Sequence, residues 1–154
     1  MRRKVLAGFA CLWVGAQLIR FEHTNPPITG EIQAPPAVKR ALRSACYDCH
    51  SNETGWPWSA SLAPISWLVH HDVTEGRRRL NFSGWDAYTS DPGTQLQKLR
   101  NIQKAMAEDG MPPWYYRLAH PDSKLTDAQQ KVILRWVNQE ITGLESSPEQ
   151  RKTE

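Results

Sequence analysis

Acidic side chains are absent from the first twenty residues, and thiols are scarce throughout, with three cysteines in 154 residues. The first absence relocates the charge. The formal net charge is +3, but setting aside Arg2, Arg3, Lys4 and Arg20 leaves 15 basic against 16 acidic residues. The rest of the chain is near neutral, which excludes the basic footprint of a nucleic-acid partner. Strand-like alternation and internal repeats are missing too, and this points to an all-α fold. At this length one domain with extensions is expected, large enough for a modest core.

Long apolar runs are equally sparse. The one that stands out lies from Val5 to Ile19 in "MRRKVLAGFACLWVGAQLIRF", behind three positive charges. This is the n-region and h-region pattern of an export signal. It is shorter than the ~20 residues of a comfortable transmembrane helix, although tilt or bilayer thinning lets such a run span. Residues 1–20 are therefore expected to be an uncleaved N-terminal anchor. Cleavage near Val14-Gly15-Ala16 is the alternative, and a buried core helix is the third reading. Either of the first two puts the body in the periplasm, in the anchored case at the inner membrane with the basic N-terminus inside. Cys11 falls within the run and is expected to be inert, since no lipoprotein-type pattern precedes it.

Residues 21–36, "FEHTNPPITGEIQAPP", are rich in proline and read as an extended linker. A domain follows over residues 37–143, with about four helices and long loops, then a polar, disordered tail over 144–154. Pro36 suits the first turn of a helix carrying Val38, Leu42 and Ala45 inward, with the two remaining cysteines at its end. A second helix is expected from Pro64, with Ile65, Leu68, Val69 and Val73 inward and Gly76 weakening it. Ser83 is expected to cap a short turn. Leu96, Leu99, Ile102 and Met106 mark a third helix stopped by Gly110. Thr126 and Gln129 form a candidate capping box for the last, which carries Val132, Ile133, Trp136, Val137 and Ile141 and ends at Gly143.

Cys46, Cys49 and His50 form Cys-x-x-Cys-His, the attachment signature of c-type haem. Two thiols add across two porphyrin vinyl groups as thioethers, and the adjacent histidine becomes the proximal iron ligand. A disulfide between the two thiols would leave His50 unexplained. A thioredoxin-type redox pair lacks its βαβ surroundings, and a zinc knuckle lacks a second Cys/His pair. For the distal iron position, Met111 stands in an extended loop stiffened by Pro112 and Pro113, whereas Met106 sits on an apolar helical stripe. His71 and His70, mid-helix, are the alternatives to Met111 and otherwise surface or hydrogen-bonded histidines. His120 is expected to stabilise a loop, and His23 has no assigned role. Trp56, Trp58, Trp114 and Tyr115 follow the two ligand segments and are candidates to line a haem pocket, against ordinary core or loop packing. Arg77, Arg78 and Arg79 are expected on a solvated helix face, against propionate contact or a docking patch.

The stretches "CYDCHSNETGWPW", "HDVTEGRRRLNFSGW" and "GMPPWYYRLAHPDSKLTDAQQKVILRWV" resemble the bacterial haem-binding domain family, small exported proteins similar to c-type cytochromes. The resemblance covers roughly Asn25 to Asn138. It implies a cytochrome c-like helical domain after an N-terminal hydrophobic helix. It further implies one covalently attached haem c on Cys46 and Cys49, His50 proximal and Met111 distal. Asn81, Phe82 and Ser83 match the family's "NFS" segment, without an assigned role. The function expected from residues and resemblance together is a monohaem electron carrier serving redox partner proteins. A small haem peroxidase using His70 or His71 as acid/base, and a haem-based ligand or redox sensor, are the alternatives.

Overall fold

The computed structural model describes residues 1–147, and the end of the expected polar tail lies outside them. Eight α-helices are present among the described residues, with no strand. In chain order they are α1 (Arg2–Ala16), α2 (Pro36–Ala45), α3 (Tyr47–His50), α4 (Ile65–Arg79), α5 (Asp86–Thr89), α6 (Pro92–Ala107), α7 (Trp114–Ala119) and α8 (Asp127–Ser146). Short 3-10 turns occupy Trp58–Ser61 and Pro121–Ser123. The four expected helices correspond to α2, α4, α6 and α8, and the expected long loops are broken up by the shorter ones.

The core forms where α2, α6 and α8 turn their apolar stripes together. Val38, Ala41, Leu42 and Ala45 recur at helical spacing on α2, facing Leu99 and Ile102 of α6 and Ile133, Trp136 and Val137 of α8. Helix ends are set locally. Pro36 opens α2 at a position that needs no amide hydrogen. The Thr126 side chain accepts from the Gln129 amide while Gln129 reaches back to the Thr126 amide, so the capping box forms in both directions. Gly143 does not stop α8, which runs on to Ser146. At the end of α6 the left-handed residue is Asp109 at φ 47°, and Gly110 has no positive φ.

Residues 21–36 are not a free spacer. Ile32 is completely buried, and its amide donates to the Phe82 carbonyl at 2.9 Å. Thr29 and Gly30 donate to the Ser83 carbonyl, and the Trp85 amide returns a bond to the Gly30 carbonyl at 2.7 Å. Glu31 binds Lys39 and Arg43 of α2. The segment thus holds α2 and the turn before α5 together, contacts invisible to a composition-based reading.

Helix α4 also departs from expectation. Its buried residues are Ser66, Val73 and Gly76, while Ile65 and Leu68 are exposed. At Gly76 the helix has no side chain because α3 lies too close for one. A methyl group on Gly76 would stand 2.9 Å from the Cys49 carbonyl carbon and collide with its oxygen. Gly76 therefore weakens helix propensity in exchange for this close approach.

At the N-terminus α1 stops at Ala16, before the apolar run ends at Ile19, and Gln17 docks it on the body. The Gln17 carboxamide donates to the Ala63 carbonyl at 3.3 Å and accepts from the Ala63 amide at 3.0 Å. Among the described residues no helix is long and apolar enough to cross a membrane.

Candidate cofactor site

The close packing of α3 on α4 builds the site. Cys46 ends α2, and its carbonyl accepts the His50 amide at 2.9 Å, closing the single turn that carries Cys49 and His50. The partly buried His50 ring has its Nδ1 3.0 Å from both the Gly76 and Leu80 carbonyls. Two carbonyl acceptors require a proton on Nδ1, which leaves Nε2 as the nitrogen with a free lone pair. Burial pulls the His50 pKa below the ordinary histidine value, partly opposed by those two carbonyls. The imidazole is thus neutral, the form a metal ion requires.

Cys46 and Cys49 are free thiols. Burial, with the neighbouring Cys49, pushes Cys46 up to about 12. Burial also pushes Cys49 up to about 12, aided by Asp72 and Asp48 and opposed by Arg77. Both keep their hydrogens at neutral pH.

These three side chains line one cavity of about 770 Å³. That volume lies within the ~300–1,000 Å³ of typical cofactor sites. Leu42, Ala45, Phe82, Ile102, Ala105 and Met106 give it apolar walls. Met111, Pro112, Pro113 and Tyr115 line it as well. The structure therefore brings Met111 to the same cavity as His50. Met106 packs against the core and lines the cavity as well. His71 reaches the rim, with Nδ1 3.3 Å from Asp72, whereas His70 stacks on Phe21 at 4.1 Å and lies outside the lining.

Of the four aromatic candidates only Tyr115 lines the cavity. Trp56 is instead stacked on His23 at 4.7 Å, and His23 in turn contacts the Ala60 carbonyl. Trp58 and Trp114 are strongly exposed. Proximity in sequence to a ligand does not decide which way a large ring turns.

Several supporting residues had no role in the sequence reading. The Tyr116 hydroxyl donates to Asp48 at 2.5 Å and the Tyr115 hydroxyl to Asp72 at 2.9 Å, tying the Met111 segment to α3 and α4. Asp48 also accepts the Gly55 amide at 3.0 Å. Tyr115 and Tyr116 both have raised pKa values, first by burial and then by these carboxylates. His120 stacks on Tyr116 at 4.2 Å, the loop-bracing role expected of it. The pairing of tyrosines after Met-Pro-Pro was the available signal.

The "NFS" residues also find work. Phe82 is buried, stacks on Tyr47, stands edge-on to His50, and donates its amide to the His50 carbonyl at 2.8 Å. Ser83 does not cap a helix; its hydroxyl accepts the Asn52 amide at 2.9 Å, and Asn81 donates to the Asn52 side chain. Of the arginine run, Arg77 is half-buried rather than on a solvated face. Its guanidinium donates to Ser51 and Thr24 carbonyls and to Asn25 and Thr54 side chains, bracing the segment after His50. Arg78 and Arg79 pair with Glu75 at the cavity rim, and Arg78 chiefly holds that carboxyl down to about 2.

Two thiols, a neutral imidazole with one committed nitrogen and a thioether, around a cavity with apolar walls and a charged rim, fit a porphyrin better than a bare ion. Among the described residues no three His, Cys, Asp or Glu side chains gather to hold a metal by themselves. A family model described as "Haem-binding domain" matches residues 11–139, and the chain belongs to this haem-binding domain family. No curated protein and no solved structure gives a significant match.

Proposed function

We propose that this chain is a monohaem c-type electron carrier with a cytochrome c-like helical domain, working at the periplasmic face of the inner membrane. The observation that carries the reading is the His50 ring, whose Nδ1 is held by two carbonyls while the thiols and Met111 share its cavity. Cys46 and Cys49 would each add S–H across a vinyl double bond, sulfur to one carbon and hydrogen to the other, which consumes the thiol and leaves a neutral thioether. His50 would ligate iron through Nε2, and Met111 would supply the distal thioether. Bound haem contributes a one-electron iron couple. The chain's part would be to offer His50 and Met111 to the iron and to keep water off the apolar walls, which favours electron transfer over substrate chemistry. The export-type leader supports the periplasmic location, and redox proteins are the partners such a carrier needs.

The test of the axial set is the ferric spectrum. Wild type is expected to show the weak far-red charge-transfer band of methionine-ligated haem, and Met111→Ala to lose it. A wild type without that band, with an unchanged spectrum in Met111→Ala, counts against this ligand. A small haem peroxidase is the second reading, favoured by His71 at the cavity rim beside Asp72. It requires peroxide turnover that Met111→Ala raises and His71→Ala abolishes.

A further inference from the structure

A second surface of the molecule, away from the thiols, carries an unexplained concentration of exposed apolar side chains. No Asp, Glu, Lys or Arg occurs between Glu53 and Asp72. Within that charge-free stretch Trp58 is 81% exposed, Leu62 38%, Ile65 47%, Trp67 40% and Leu68 44%. None of the five lines the cavity. They occupy the 3-10 turn, the loop after it and the first turns of α4, where small residues take the buried face and leave the large ones outside. Scattered apolar residues need no explanation, but a run of this density marks an interaction surface.

The N-terminal segment lies against it. Helix α1 ends at this stretch, through the paired Gln17–Ala63 hydrogen bonds. Phe21 then stacks on His70 of α4. Exposed Leu6, Phe9, Leu12 and Trp13 of α1 lead up to it, behind the basic Arg2, Arg3 and Lys4. Two tryptophans with aliphatic neighbours and no charge is the composition that settles at the headgroup boundary of a bilayer, where an amphipathic indole is at home.

We infer that residues 58–68 form a membrane-resting surface. The globular body lies with this face in the interfacial layer of the lipid bilayer that receives α1, rather than swinging free on a tether. This rests on the proposed attachment of the chain to a membrane through α1, and it fixes the body's orientation there.

The test uses the full haem-loaded chain in phosphatidylethanolamine/phosphatidylglycerol vesicles that include a phospholipid with a diazirine on the shallow part of its acyl chain. After irradiation and digestion, lipid adducts are mapped by mass spectrometry. Adducts are expected on α1 and on the peptide holding residues 58–68, with α8 peptides at background. Combining Trp58→Ser, Ile65→Ser and Leu68→Ser, all exposed positions, should drop the second peptide to that background and leave α1 labelled. Labelling of α1 alone in the wild type overturns the resting surface while preserving membrane attachment. Labelling of neither overturns both. Undiminished labelling of 58–68 in the combined variant also overturns it, since these side chains would then not carry the contact.

Discussion

At the scale of single residues, the site depends on two positions whose chemistry is fixed by neighbours. Gly76 lets α4 approach the Cys49 carbonyl, and its own carbonyl orients His50. Gly76→Ala must push α3 and α4 apart, so a clear fall in thermal stability and weaker haem retention are expected. Gly143 sits in α8 with nothing within 4 Å of an added methyl. Gly143→Ala should therefore stabilise, by roughly 0.5–1 kcal/mol. Equal effects from both substitutions, read by thermal unfolding, would remove the case for close approach. Glu31 offers a pH prediction. Bonds from Lys39 and then Arg43 hold its carboxyl below the ordinary 4.5. A depressed folded pKa means the unfolded chain takes up the proton first. The contribution is present above the unfolded value and is lost as pH falls through the lower folded value. Glu31→Gln should flatten that part of the stability–pH profile and leave the neutral-pH cavity intact, which urea titrations at stepped acidity can read.

At the scale of elements, the short helix α7 is held over the cavity by its tyrosines. Tyr116→Phe deletes a hydrogen bond to the Asp48 carboxylate, a loss on the order of 1.5–3 kcal/mol for charge-assisted bonds. Faster amide exchange across residues 112–120 is expected in the haem-free chain, and a weaker far-red band in the loaded one. Asp48→Asn with Tyr116 intact keeps an acceptor for that hydroxyl and should retain much of the protection. Unaltered exchange in Tyr116→Phe would show that packing alone holds α7. These elements also separate what local sequence reveals from what it hides. Pro36, the Thr126–Gln129 box and the stripes of α2, α6 and α8 are short-range signals, and each forms. On α4 Val73 is buried as expected, whereas Ile65 and Leu68 are not, because hydrophobic period alone does not distinguish a core stripe from an exposed apolar surface. Small Ser66 and Gly76 carry the packing there.

At the scale of the whole molecule, the motif residues were legible and their supports were not. Cys46, Cys49 and His50 announce themselves by spacing, and Met111 by its prolines. The bracing of that motif comes from Arg77, Asn81, Phe82 and the segment around Ile32, joined across tens of residues by contacts that no local pattern encodes. The same long-range stitching turns residues 21–36 from a spacer into part of the body. One cavity is lined by the hydrogen-bonded His50 imidazole, the two thiols and a methionine loop tied down by its tyrosines. Covalent haem on Cys46 and Cys49 is the central claim. The direct measurement is the intact mass of acid-denatured chain produced with the c-type maturation machinery. The account requires the mass of one haem to stay with the chain, to stay through the one remaining thioether in Cys46→Ala or Cys49→Ala, and to vanish in the double variant. Haem that separates completely on denaturation, with both thiols free to alkylate, would contradict it.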